Sequence, residues 1–161
     1  MGIYRLSKRQ VPALLHDLYG LPISTGAVIG AQQRVTEALA APVAEARTHV
    51  AAEGVKHADE TSWRQGVRRA KVWLWTAVTR QVTIFLIHAR RTEEAARALL
   101  GTRLGVLVAD RHGAYNWWPD RWRQFCWAHI KRDVQAIAER GTDSERIGKA
   151  MLEEIARMFA W

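Results

Sequence analysis

Two aspartates, Asp59 and Asp110, each stand at the end of an apolar, strand-like run: Val55 to Asp59 for the first, Leu104 to Ala109 before the second. A side chain at such a position leaves the core and meets a crevice. Two carboxylates converging there repel each other unless a cation sits between them, and oxygen ligands suit Mg2+ or Mn2+ rather than zinc. A pair of such ions can activate a water or a 3′-hydroxyl and stabilise the leaving oxygen of a phosphodiester. A lone aspartate is also an ordinary strand-end turn former, so the shared placement is what points to chemistry. His57 precedes Asp59 by two residues and shares its strand face, where it reads as a core histidine or a neighbour of the acids. Glu60 points to the opposite face and is not counted as a third acid. Cys126 and His129 are spaced Cys-x-x-His. With no second ligand pair they cannot close a structural zinc site by themselves, and read as a small strand cysteine and a histidine opening a helix.

The charge around these acids fits a polyanion. The chain has 161 residues, 24 of them Lys or Arg and 16 Asp or Glu, for a net charge of +8. Residues 1–54 carry only +1 and residues 128–161 are neutral, so residues 55–127 hold +7. Neutralising phosphates releases counterions, which favours a nucleic acid over a neutral partner. Arg64, Arg68, Arg69 and Lys71 form one basic cluster; Arg111, Arg121 and Arg123 stand further on. Trp63, Trp117, Trp118, Trp122 and Trp127 lie among these arginines, a mix suited to stacking on bases while gripping a backbone. Trp73 and Trp75 sit in a strand pattern and read as core. A single cysteine excludes a disulfide framework, and no run of about 18 apolar residues offers a membrane span. The first ten residues lack the apolar stretch of a secretion signal. These features lead to the expectation of a soluble, cytoplasmic protein.

The positioning elements follow from periodicity. Ser7 caps a helix carrying Val11, Leu14, Leu15 and Leu18, broken at Tyr19-Gly20-Leu21-Pro22. Ser24 caps a second helix with Val28, Val35 and Leu39, and Pro42 kinks it or starts a third. Two helices about a short Gly-containing turn outline a helix-turn-helix, although near-neutral charge argues against this segment holding DNA alone. After Gly54 come a short strand at Val55–Asp59 and a hairpin of Lys71–Thr79 with Val82–His88. A helix from Thr92 to Leu100 follows, with Glu93 and Glu94 at its N-terminus and Gly101 at its end. Leu104–Ala109 is wholly apolar, as in a sheet covered on both faces. A strand near Arg123–Trp127 and helices over about 128–140 and 143–159 close the chain. The order specifies an α/β fold with a mixed sheet.

Four stretches, in order, resemble the bacterial transposase family of insertion sequence 66 type. They are His57-Ala58-Asp59-Glu60-Thr61-Ser62-Trp63, Val72 to Thr79, Gly105 to Asn116, and Cys126-Trp127-Ala128-His129-Ile130-Lys131-Arg132-Asp133. The resemblance runs over roughly residues 7–140. It implies a ribonuclease-H-like mixed sheet with flanking helices, preceded by a helix-turn-helix-like segment and followed by the start of a helical insertion. The corresponding divisions are 1–54, 55–127 and 128–161. It further implies an Asp-Asp-Glu site that cuts and joins DNA with Mg2+ or Mn2+, in which Asp59 and Asp110 match the first two acids. By the same resemblance, His129 supports the acids or touches the scissile phosphate and Cys126-x-x-His129 matches a signature of related transposases, while His57 and Cys126 are candidate supporting residues. From their charge and aromatic character Arg64, Arg68, Arg69, Lys71, Arg111, Trp117, Arg121 and Arg123 are the DNA-binding candidates, with a solvated hairpin edge as the other reading of Arg64 to Lys71. Arg111-His112-Gly113 departs from the family pattern and adds a cation beside the acids. The family's catalytic glutamate lies well downstream, and none of Glu139, Glu145, Glu153 and Glu154 sits in a matching motif. The expectation is therefore a chain with two of the three acids, acting on DNA as a multimer associated with the nucleoid and with no small-molecule substrate. The alternatives are a non-catalytic DNA-binding protein or a transposase remnant.

Overall fold

The computed structural model describes residues 6–66, 69–102 and 105–160. The chain divides into two compact units, Met1–Glu45 and Ala46–Trp161. The division falls within the third helix, Ala40–Ala52. The final helices also belong to the second unit.

In the first unit, α1 (Gln10–Tyr19) and α2 (Thr25–Ala38) are separated where expected. Gly20 ends α1 at φ 65°, a left-handed conformation in which glycine avoids a Cβ clash. The Ser24 hydroxyl accepts the Ala27 N–H at 3.0 Å. α3 (Ala40–Ala52) runs through Pro42, which sits in its first turn, where a missing N–H costs nothing. Among the described residues of this unit only Val28 is buried.

The second unit is a five-stranded mixed sheet in the order β3-β2-β1-β4-β5. β1 (Val55–Gln65), β2 (Ala70–Val78) and β3 (Thr83–His88) form an antiparallel meander. β4 (Val106–Ala109) and β5 (Arg123–Phe125) run parallel to β1 and to each other in turn. β1 is longer than the short Val55–Asp59 strand expected, because its polar second half is held by pairing with β2 out to Gln65 and Ala70.

One face of the sheet carries the core. Ala58, Trp75, Ala77, Ile84, Leu107 and Ala109 pack with Ala95, Ala96, Leu99 and Leu100 of α4 (Glu93–Leu100) and with Val50, Tyr115 and Trp118. Lys56 is fully buried here, its ammonium donating to the carbonyls of Ala51 at 2.8 Å and Leu100 at 3.1 Å, the C-terminal ends of α3 and α4. Orphan carbonyls at a helix end and the negative pole of its dipole both favour a cation there. Gly105 faces Gly54 so closely that a Cβ would lie 2.4 Å from its carbonyl oxygen.

The opposite face is open: Val55, Val78, Phe85 and Ile87 are exposed. The expectation of a β4 covered on both faces is therefore corrected, since burial alternates along it with Leu107 and Ala109 in and Val106 and Val108 only half covered. α5 (Trp127–Ala138) and α6 (Thr142–Phe159) fold back on each other. Gly148 is what lets them meet, because a Cβ there would fall 2.5 Å from the Ala138 nitrogen. No helix among the described residues is long and apolar enough to cross a membrane.

Candidate functional site

The parallel pairing of β1 with β4 decides where the two aspartates go. Val55 faces Val106, Lys56 faces Leu107 and His57 faces Val108. Continued by two residues, this register brings Asp59 alongside Asp110, just past the end of β4; Asp59 itself is not at a strand end as expected, since β1 runs on to Gln65. The two side chains nevertheless meet different surroundings.

Asp59 lies on the open face and its side chain is 62% exposed. One carboxylate oxygen accepts the Glu60 N–H at 2.9 Å. The same oxygen stands 4.0 Å from Nε2 of His129. A hollow of about 120 Å³ beside it is lined by His57, Asp59, Thr76, Val108, Cys126 and His129, among others. The structure thus gathers the Cys-x-x-His pair and His57 around Asp59. His57 is exposed rather than a core histidine, because the face it shares with Asp59 has no covering layer. Cys126 caps α5 rather than lying in β5, and His129 follows in the first turn. Nδ1 of His129 is buried and has no hydrogen-bond partner among the described residues.

Asp110 turns the other way. Its Oδ1 accepts the His112 N–H at 2.9 Å, and its Oδ2 accepts from Nη2 of Arg91 at 3.0 Å. Nε of Arg91 donates to Glu60 at 2.5 Å. Glu60 is wholly enclosed, with 0% side-chain exposure, and its second oxygen accepts the Tyr115 hydroxyl. Arg91 also lies over the Trp73 ring at 5.2 Å. Burial, the hydrogen bond to Glu60 and the charges of Glu60, Asp110 and Asp59 all push the Tyr115 hydroxyl up, so it stays protonated and donating. In this arrangement the Arg91 guanidinium lies between the carboxylates of Glu60 and Asp110.

Sequence reasoning passed over Arg91 and Tyr115, and left Glu60 without a role. A carboxylate on the core face of a strand is costly without a partner, which was the available signal. Among the described residues, no three His, Cys, Asp or Glu side chains are grouped so as to hold a metal ion. Of the later acids, Glu139 is bonded to Gln135, Glu145 to Lys149 and Glu154 to Arg157, each within its own helix.

The basic candidates divide as well. Arg64, Arg69, Lys71 and Arg121 are exposed, and Arg68 lies outside the described residues. Arg111 pairs with Asp133 of α5 instead of standing free beside the acids. Arg123 donates to Asn116 at 3.2 Å. Trp117 is partly buried against the core with Arg97 over its ring at 4.0 Å, so its face is already covered. Trp118 is buried outright, its indole N–H donating to Gly105. Trp63 and Trp122 remain exposed.

No curated protein matches this chain. The family model described as Transposase IS66 family matches residues 3–161, nearly the whole length. The chain belongs to the IS66 transposase family.

Proposed function

We propose that this chain carries the DNA-cutting and strand-transferring part of an insertion-element transposase, on a ribonuclease-H-like sheet with Asp59 and Asp110 as its reacting acids. The observation that supports this reading is the parallel β1–β4 register, which, continued by two residues, brings the chain positions of Asp59, in the middle of β1, and Asp110, just past β4, next to each other. Both offer oxygen donors, which fits Mg2+ or Mn2+ as a ligand type. Asp59 is open to solvent, whereas Asp110 has to release Arg91 to join it. Glu60 stays out of the set, held by Arg91 and Tyr115. A third oxygen ligand is assigned to no residue here. When bound, such a metal supplies an activated water or 3′-hydroxyl and charge stabilisation on the leaving oxygen.

His129 lies beside Asp59 with one ring nitrogen facing its carboxylate, where it orients that acid or contacts a phosphate. The exposed Arg64, Arg69, Lys71 and Arg121 draw the DNA backbone toward acids that would otherwise repel it. Action on paired element ends, as a multimer near the nucleoid, belongs to the same reading. The α1–α2 pair then serves as an auxiliary helix-turn-helix contact.

A second reading, a DNA-binding protein without cleavage, is favoured by the engagement of both Asp110 oxygens. One experiment separates the two: nicking of supercoiled plasmid with Mn2+ by the wild-type chain, Asp59→Asn and Asp110→Asn, beside gel-shift binding by each. Loss of nicking in both variants with binding retained supports the metal-site reading. Nicking that persists in both ends it, and binding without nicking in the wild type supports the second reading.

A further inference from the structure

The first two strands extend beyond the rest of the sheet. β4 pairs with β1 only over Val55–His57, and β3 pairs with β2 only over Trp73–Val78. Trp63–Gln65 and Ala70–Val72 therefore have only each other, in a two-stranded ribbon with Trp63 facing Val72 and Arg64 facing Lys71. Every described residue from Thr61 to Lys71 is exposed, with Arg64, Arg69 and Lys71 as its charged groups. Arg64 donates to the Arg69 carbonyl at 3.3 Å, and the Lys71 ammonium lies 4.9 Å from the Trp73 ring centroid.

Trp63 differs from its neighbours. It is 48% exposed, on a ribbon with no apolar layer to receive it. Side chains alternate along a strand, so Asp59, Thr61 and Trp63 project from one face while Arg64 and Lys71 occupy the other. Four residues of strand place Trp63 about 13 Å from Asp59, about four nucleotides of a DNA strand. A large exposed aromatic on one face of a narrow ribbon whose other face carries Arg64 and Lys71, with no acid within the ribbon, matches an element that stacks a base on one side while its cations hold the flanking phosphates.

We propose that Trp63, at the tip of this ribbon, stacks on an unpaired base of the DNA close to the cleavage point, with Arg64, Arg69 and Lys71 gripping the flanking backbone. This positions the strand relative to Asp59, and it rests on the reading above that DNA is processed at that acid.

The test uses the full chain and two DNA probes of the same sequence, one fully paired and one forked, each carrying 2-aminopurine at the fork position. The wild type is expected to bind the forked probe more tightly and to quench its fluorescence. Trp63→Ala should bind the fork roughly 5- to 100-fold more weakly and lose the quench. Trp63→Phe should keep most of both, and Lys71→Gln should weaken binding to both probes alike and flatten the salt dependence. Wild-type behaviour of Trp63→Ala in affinity and quenching overturns this proposal alone, because DNA processing at Asp59 is read separately by nicking. A wild-type chain that binds neither probe overturns both.

Discussion

Two acids placed side by side by the same strand pairing have opposite surroundings. The Asp59 side is thinly built: an exposed carboxylate, a histidine at 4.0 Å and a small hollow. On the Asp110 side, a wholly enclosed Glu60, a bridging Arg91 and a protonated Tyr115 saturate every oxygen that can be traced. The contrast separates two tasks. The closed side fixes a carboxylate direction by burial and hydrogen bonding, at the cost of holding that carboxylate already bound. The open side leaves its carboxylate available and adds little to the stability of the fold.

The sharpest way to break this contrast is to neutralise the acids. If Asp59 is a metal ligand as proposed, Asp59→Asn should lower Mn2+-dependent nicking by more than about a hundredfold, since losing that ligand removes several kcal/mol of transition-state stabilisation. Nicking kinetics at saturating Mn2+ measure this directly. Arg91→Met should next lower folding stability by about 3 kcal/mol, because Glu60 would be left buried without its cation. Urea denaturation of the full chain reads the change, and an unchanged midpoint would show that the closed side is not closed.

A smaller loss of about 1–2 kcal/mol is expected for Tyr115→Phe, which removes one hydrogen bond to a charged acceptor. That variant also tests a pH effect. In the fold the tyrosine hydroxyl is held above its ordinary value of 10.0. The unfolded chain starts to ionise near that pH while the folded one does not, so stability falls as pH rises beyond it. The fall should be shallower in Tyr115→Phe when the two are compared in urea between pH 9 and 11. The smallest effect is expected from Asp59→Asn on stability, within about 0.5 kcal/mol, as for an exposed side chain. A larger loss would mean that the open side also supports the fold.

The sequence made the sheet readable wherever apolar residues alternate or run together, as in Val72–Val78 and Ile84–Ile87. It underestimated β1 because Thr61-Ser62-Trp63-Arg64-Gln65 carries no apolar alternation, and only the pairing with β2 makes it a strand. Asp59 and Asp110 were singled out by the strand-like runs before them, although β1 continues past Asp59 to Gln65, and Cys126 with His129 by their spacing. Arg91 was not visible, since its meaning depends on Glu60 and Asp110, 31 and 19 residues away. The pairing of Arg111 with Asp133 was invisible for a related reason, since adjacency in the chain pointed only to Asp110. Stacking surfaces were hardest to separate, because Trp63 and Trp118 differ in accessibility and not in composition.

Lys56 has a consequence for chemical labelling. Its ammonium is enclosed beneath the Trp118 ring and tied to two helix ends, so an amine-reactive reagent has no path to it while α3 and α4 stay docked. Exposed lysines such as Lys71 would be modified at once. The delay before Lys56 is modified is therefore a clock for the opening of the sheet's covered face, carried by the unaltered chain.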